Sequence, residues 1–525
     1  MVSIINSING LLIDKVAWRV KMNIKFNADA KKKLSLKDKY AVMTRDLGWD
    51  TSYVPMDKVY PYDQFEGIKI HDWDKWEDPF RLTMDSYWKY QAEKEKKLYA
   101  IIDAFSQNNG HLNVSDGRYI NAIKLFLTAV TPIEYGAHRG FAMLGRQFRG
   151  AGTRVACQMQ AIDELRHCQT QVHTLSHYNK YFNGFHSWPQ NYDRVWYLAV
   201  PKSFTNDAMS AGPFEFLVSI SFSFEYVLTN LLFMPFMSGA AYNGDMATVT
   251  FGFSAQSDEA RHMTLGLEAI KFILEQDPDN VPIVQKWIDK WFWRGYRLLT
   301  LVGTMMDYML PKKIMSWREG WEIYFEQNGG TLFSDLERYG IRMPKYWEDT
   351  VKEKEHITHQ TWAALYQYCW AAGFHTWLPK LEEMEWLEKE YPESFNEIYK
   401  PRFEEWRALE KEGKRWYNTS LPCLCQTCQL PMMFTEIDNP TKLRLRESEF
   451  EGENYQFCSD GCKDIFDDEP QKYVQANIPV QKILKGEGGG PAPEDVVKWA
   501  HFNPDSDTGG YEDSMDAKNW TAWKA

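Results

Sequence analysis

A five-residue phrase occurs twice in this 525-residue chain, as Asp163-Glu164-Leu165-Arg166-His167 and, 95 residues later, as Asp258-Glu259-Ala260-Arg261-His262. On an α-helix a Glu and a His three residues apart share a face about one turn apart, so each copy presents a carboxylate and an imidazole together. Two such pairs facing each other make half of a cage for two metal ions. In each copy an Asp precedes the His by four residues, within reach of the N–H that a metal-bound imidazole donates to an orienting carboxylate. Asp163 is therefore expected to serve His167, and Asp258 to serve His262, with Arg166 and Arg261 balancing charge just outside the metals. A third Glu-x-x-His, Glu353-Lys354-Glu355-His356, sits in a charged run and is expected on a solvated helix face.

The elements that must carry these residues are helical. Thr153 to Phe182 contains neither Gly nor Pro, enough for a helix of about 45 Å at 1.5 Å per residue. Asp245 to Gln276 carries the second phrase. Leu82 to Phe105 reads as a helix with Glu93, Glu95 and several Lys on a solvated face. Arg118 to Arg149 reads as helical despite Pro132 and three glycines, which cost about 3 and about 1 kcal/mol each. Something other than propensity must hold it, a kink or π-bulge at a functional site being one such reason. Pro213 to Met237 completes four long helices, antiparallel in pairs, with a loop-rich crossover from Asn183 to Gly212. Tyr226 to Gly244 carries no charge over 19 residues, yet its Asn, Pro and Gly residues favour a helix buried in a large core over a membrane span.

A two-metal carboxylate site in such a bundle needs one further Glu from each of the other two helices. Glu134 is the only carboxylate between Asp116 and Asp163. Glu225 stands among Phe222, Phe224 and Tyr226, where a carboxylate costs several kcal/mol unless coordinated or paired. Its rival, Glu215, sits near a helix start that suits its charge. The expected ligands are thus Glu134, Glu164, His167, Glu225, Glu259 and His262, an oxygen-rich set suited to iron or manganese.

Cysteine supplies a second constellation. Cys425-x2-Cys428 and Cys458-x3-Cys462 form two close pairs 29 residues apart, the spacing of two knuckles that each give two sulfurs to a structural zinc. Cys423 is a spare. Tyr455-Gln456-Phe457-Cys458-Ser459 resembles small zinc modules of the treble-clef type, and the surrounding Asp460, Asp464, Asp467, Asp468 and Glu469 point to docking. The fold class is mainly α, a ferritin-like four-helix di-iron bundle with extra helices plus a small C-terminal zinc module. The divisions are an N-terminal extension at 1–36, the di-iron carboxylate helical domain at 37–420, the four-cysteine zinc module at 421–475 and a docking tail at 476–525.

Net charge is −12, which excludes a general nucleic-acid surface. Met1 to Phe26 lacks the order of a secretory signal, with Met22 a candidate alternative start, so a cytoplasmic protein with reduced thiols is expected and no membrane attachment. No Gly-x-Gly-x-x-Gly nucleotide loop follows a strand, and no ferredoxin cysteine spacing occurs.

The spacings Glu134 to Glu164 and Glu225 to Glu259, with the phrase in both halves, resemble the large subunit of bacterial multicomponent monooxygenases, over most of the chain from about Lys37. The resemblance implies two carboxylate-bridged irons with O2 as cosubstrate, and a single structural Zn. It places Thr229 near the dioxygen-binding side and makes Asn230 responsive to a regulatory protein. It also sets Gln171 where ribonucleotide reductase small subunits, a rival family, carry a radical-bearing Tyr. By the same resemblance Val130, Ala137, Phe204, Phe224 and Phe233 line an aromatic substrate pocket. The appended cysteine module resembles the phenol hydroxylases, which implies oxidation of phenol or methylphenols to catechols; toluene, benzene or alkene oxidation is the alternative. Implied partners are beta and gamma hydroxylase subunits in a doubled assembly, a regulatory protein, and an NADH-oxidising flavin and iron-sulfur reductase. A ferroxidase or iron-storage protein, or a non-catalytic metal-binding scaffold, would share some of these features.

Overall fold

The computed structural model describes residues 33–46, 53–59, 66–114, 117–181, 196–369, 378–414 and 423–490. Seven helices and one π-helical stretch position the site. They are α1 (Met84–Gln107), α2 (Gly117–Gln147), α3 (Ala151–Tyr181), α4 (Trp196–Met209), α5 (Pro213–Leu217), the π-helix Val218–Leu228, α6 (Thr229–Tyr242) and α7 (Met246–Gln276). Thr83 starts α1, its hydroxyl accepting from the Ser86 amide, and the Asp245 side chain starts α7 by accepting from the Thr248 amide. Each cap satisfies a donor that the first helical turn leaves free.

Helix α2 runs α-helical through Pro132. Its glycines are explained by close approach: a Cβ on Gly140 would lie 1.9 Å from the Phe216 ring, and one on Gly136 would lie 2.4 Å from Thr205. The π-helical turns fall elsewhere, in the helix that bears Glu225. The crossover is also more regular than expected, since α4 forms across Pro201 and packs Phe204 into the core. Residues 182–195 of that crossover lie outside the described residues. Helix α2 packs along α3, and α7 and α8 (Asn280–Thr304) flank the π-helix.

The N-terminal arm closes one end of the bundle. Trp73 packs on Phe148, Phe214 and Phe272, and Trp76 meets Phe272 edge-on. Beyond the bundle, α8 buries Trp291 and Trp293 and packs against α9 (Ile357–Cys369). Among the described residues no helix is long and apolar enough to cross a membrane.

The C-terminal module consists of two antiparallel pairs, β1 (Thr435–Glu436) with β2 (Asn439–Leu443) and β3 (Arg446–Phe450) with β4 (Glu453–Phe457), followed by α10 (Asp460–Asp468). It docks on α8 of the same chain. Lys290 Nζ reaches Glu469 at 2.7 Å, Arg294 donates to the Thr427 carbonyl at 2.8 Å, and Trp293 Nε1 donates to Ser459 at 3.2 Å. The acidic residues expected to serve docking meet cations here, Asp464 pairing with Lys345 and Asp460 with Arg446. The chain continues through a short helix, Pro479–Leu484, that buries Pro479, Val480 and Ile483. Residues 491–525, which hold most of the expected docking tail, lie outside the described residues, as do residues 1–32 of the N-terminal extension.

The third Glu-x-x-His departs from its expected solvated face. Glu353 is buried and accepts from Tyr296 at 2.8 Å and from Arg297 at 3.0 and 3.2 Å, and it also accepts from Arg444 of the module. Burial works against its charge, but Arg297 and Arg444 hold its pKa below the ordinary glutamate value. Glu353 thus turns inward from a charged run because two arginines from distant segments meet it.

Candidate metal centre

Helices α2, α3 and α7 and the π-helix bring all six expected ligand side chains together, every one of them buried. His167 Nδ1 lies 3.4 Å from Glu134, 3.6 Å from Glu164 Oε2 and 3.4 Å from Glu259 Oε1. His262 Nδ1 lies 3.3 Å from Glu164 Oε1 and 3.3 Å from Glu259 Oε2. Glu164 and Glu259 therefore each offer one oxygen to each histidine, while Glu134 closes the His167 side and Glu225 joins Glu164 and His262 on the other. The imidazole centroids stand 6.0 Å apart. Two adjoining pockets result, sharing two carboxylates between them.

The orienting aspartates cross over. His167 Nε2 meets Asp258 at 3.2 Å, and His262 Nε2 meets Asp163 at 3.3 Å, so each phrase orients the histidine of the other, contrary to the expected pairing within a phrase. The reason lies in direction: each histidine aims Nδ1 at the shared carboxylates, which turns its Nε2 toward the facing helix. Arg166 reaches Asp163 at 2.9 Å, Asp258 at 3.3 Å and Glu95 at 2.7 Å, and Arg261 pairs with Asp163.

Helix α1 supplies a supporting layer absent from the sequence reading. Tyr87 donates to Asp163 at 2.6 Å, Gln91 donates to Asp163 at 3.0 Å and Asp258 at 2.8 Å, and Lys94 pairs with Asp258. Lys94 and Glu95 thus do not belong to a solvated face. Gln160 was missed as well; its Nε2 donates to both Glu225 oxygens at 3.1 and 3.0 Å and lies 3.3 Å from Glu164. Its place one turn before Glu164 was the available signal.

Electrostatics test whether these residues fit metal ions. Burial, reinforced by Glu259, pushes the Glu225 carboxyl up to about 8. Burial also raises Glu164 well above the usual range against the pull of His262. Burial opposes the His167 charge, but Asp258 and Glu134 carry its pKa well above that of a free imidazole. Burial opposes the Glu134 charge too, and His167 outweighs it, holding this carboxyl low. The upward shifts of Glu164, Glu225 and His167 mark an excess of buried negative charge that cations would balance. Glu259 Oε2 and His262 Nδ1 are buried without a hydrogen-bond partner, a cost that coordination removes. The donor set fits two hard divalent ions.

Gln171 donates to Glu134 Oε1 at 3.1 Å. Phe204 packs against Phe224 at 5.0 Å between centroids and against Trp291 at 5.7 Å. Ala137 is buried and Val130 partly so, both against the core. The side chains of Thr229, Asn230 and Phe233 lie outside the described residues. Glu215, the rival of Glu225, accepts from Lys290 at 2.7 Å and from Trp291 at 2.9 Å, away from the six ligands.

In the C-terminal module Cys425, Cys428, Cys458 and Cys462 converge and are buried, with Cys428 and Cys458 sulfurs 3.6 Å apart and Cys458 and Cys462 3.8 Å apart. Those are the separations of sulfurs around one tetrahedral zinc at about 2.3 Å per bond. Cys423 is exposed and points to Gln456.

Fold and site together define a helical-bundle protein with a buried carboxylate and histidine centre and an appended four-cysteine module. Residues 49–277 match the family model described as Methane/Phenol/Alkene Hydroxylase, and residues 435–477 match the YHS domain. The chain is 68% identical over 495 residues to the oxygenase component DmpN of phenol 2-monooxygenase from Pseudomonas sp. (strain CF600), covering 94% of this chain and 96% of that protein. It is 27% identical over 494 residues to the alpha subunit of the alkene monooxygenase oxygenase component of Xanthobacter autotrophicus (strain Py2), covering 89% and 94%. The crystal structure of xenon-pressurised phenol hydroxylase from Pseudomonas sp. OX1 superposes with a TM-score of 0.89 at 64% identity, over 93% of this chain and 99% of that one. This chain belongs to the methane/phenol/alkene hydroxylase family.

Proposed function

We propose that this chain is the oxygenase component of a phenol hydroxylase, converting phenol or a methylphenol to the catechol. The observation that carries this reading is the pair of carboxylates, Glu164 and Glu259, each presenting one oxygen to each histidine pocket. Glu134, Glu164, Glu259 and His167 would hold one iron, and Glu164, Glu225, Glu259 and His262 the other. Bound there, the iron pair supplies dioxygen activation. One oxygen atom enters an aromatic C–H bond and the other leaves as water, consuming two electrons and two protons.

The residues of this chain fix and shield that chemistry. Asp163 and Asp258 hold the two imidazoles in the tautomer that leaves Nδ1 free. Gln160 and Gln171 orient Glu225 and Glu134 through neutral amides, which adds no charge to the centre. By the family resemblance Phe204 and Phe224, which pack on each other, would supply an apolar wall suited to a planar ring. Thr229 and Asn230, which open α6 one turn beyond Glu225, are assigned to the dioxygen side and to the response to a regulatory protein.

The chain carries no nucleotide loop and no ferredoxin-type cysteines, so we assign electron delivery to a separate NADH-oxidising flavin and iron-sulfur reductase. Beta and gamma hydroxylase subunits and a regulatory protein complete the proposed assembly, placed in the cytoplasm, where the four zinc-binding thiols stay reduced. The identity with a phenol 2-monooxygenase component favours phenol over toluene or alkenes. Single turnover of the assembled hydroxylase with reductase, regulatory protein and phenol should yield catechol. Faster oxidation of benzene or an alkene than of phenol would contradict the substrate assignment.

A further inference from the structure

Farther along α3, beyond the proposed iron ligands, three more atoms of ligand type converge. His173 and His177 stand four residues apart on one face of α3, and Asp103 comes from the facing α1. His173 Nε2 lies 2.8 Å from Asp103 Oδ1, His177 Nε2 lies 2.9 Å from the same oxygen, and the two Nε2 atoms are 3.3 Å apart. A tetrahedral ion bound at about 2.0–2.1 Å to nitrogen and oxygen sets its ligand atoms about 3.3 Å from one another. In the triangle formed by Asp103, His173 and His177 the two imidazole nitrogens stand at that separation, and the shared carboxylate oxygen lies about half an ångström closer to each. Without an ion, one carboxylate oxygen must serve two imidazoles while two ring nitrogens face each other.

The surroundings hold the triangle in shape. The His173 ring is met edge-on by Tyr99 at 4.8 Å, and the His177 ring is perpendicular to that of His173. Behind His177 stacks His111, fully buried, with neither ring nitrogen hydrogen-bonded. On the outer side His173, His177 and Asp103 keep 29%, 21% and 43% of their side chains exposed, which leaves room for an ion and its water. His173 follows His167 by six residues, a rise of about 9 Å, so this triangle is separate from the carboxylate centre. Its two imidazoles and one carboxylate suit a borderline ion more than the oxygen-rich centre does.

We propose that Asp103, His173 and His177 form a further divalent-metal site, of the Zn2+ class, that pins α1 to α3. The consequence is structural coupling. Helix α1 also holds Tyr87, Gln91 and Lys94 against the aspartates that orient the iron-site histidines, so an ion at the far end of α1 would fasten the layer on which those contacts depend.

Equilibrium dialysis of the assembled, iron- and zinc-loaded hydroxylase against Zn2+ tests the site. The wild type should retain one further zinc per chain. His177→Ala should bind it at least about 10-fold more weakly, since loss of a ligand costs no less than loss of an outer partner. Added Zn2+ should raise the melting temperature of the wild type and leave that of His177→Ala unchanged. A probe needing no variant is Co2+, which should give visible absorption bands that added Zn2+ abolishes. Equal zinc uptake by wild type and His177→Ala, or no Co2+ bands displaced by Zn2+, would overturn the proposal.

Discussion

In the bundle, four carboxylates and two imidazoles meet, and two of their buried atoms, Glu259 Oε2 and His262 Nδ1, face each other at 3.3 Å without a well-formed hydrogen bond. In the C-terminal module four sulfurs converge, and the chain around them is pinned by the hydrogen bonds of its own short turns. The Cys425 amide donates to the Leu430 carbonyl at 2.8 Å, and the Cys462 amide donates to Ser459 at 3.1 Å. The supports differ as the ligands do. Long helices and side-chain amides set the first centre, whereas short turns set the second. An arrangement with spare ligand positions suits chemistry, while one with none suits structure.

Removing ligands should separate the two regions most sharply. Glu225→Ala is expected to lower catechol formation by at least about 100-fold and to reduce iron content, with zinc content and helical circular dichroism unchanged. Cys458→Ser should do the reverse, releasing zinc and lowering the melting temperature while iron still binds to whatever protein remains folded. A variant of either kind that lost both metals in parallel would erase the distinction.

The joint between the regions is the next test. Glu353→Gln leaves Arg297 and Arg444 buried with a weakened partner, and breaking such a pair costs about 3–5 kcal/mol. Because its folded pKa lies below its ordinary value of 4.5, Glu353 contributes stability that is complete above about pH 4.5 and fades as pH falls through the folded value. The gap in stability between wild type and Glu353→Gln should therefore be constant from pH 8 to pH 5 and narrow below pH 4, read from urea melts across that range. A gap that widened on acidification would mean that Glu353 is not held as a paired anion.

The smallest expected effect concerns the crossed aspartates. Asp163→Asn should weaken metal binding about 10–100-fold in the pocket of His262 and spare that of His167, seen as a two-step iron titration that the wild type lacks. Selective weakening at His167 would restore pairing within each phrase.

Much of the bundle centre was legible because helical periodicity is local. Glu164 with His167 and Glu259 with His262 repeat at one helical turn, and Glu134 and Glu225 stand out as single carboxylates in apolar runs. The crossing was not legible, since which Asp meets which His depends on how α3 faces α7. Helix α1 misled for a related reason: Lys94 and Glu95 have the composition of a solvated face, and only the proximity of Asp258 and Arg166 draws them inward. Glu353 failed the same way, with partners 56 and 91 residues distant in sequence. The π-helix at Glu225 has no composition of its own, and α4 was hidden by Pro201.

In the proposed centre two irons would lie between the histidines and share Glu164 and Glu259. Diffraction from iron-loaded crystals at the iron absorption edge tests it directly. Two anomalous peaks per chain are expected, one beside His167 and Glu134 and one beside His262 and Glu225, with Glu164 and Glu259 contacting both. A single peak, or two peaks with neither carboxylate between them, would contradict it.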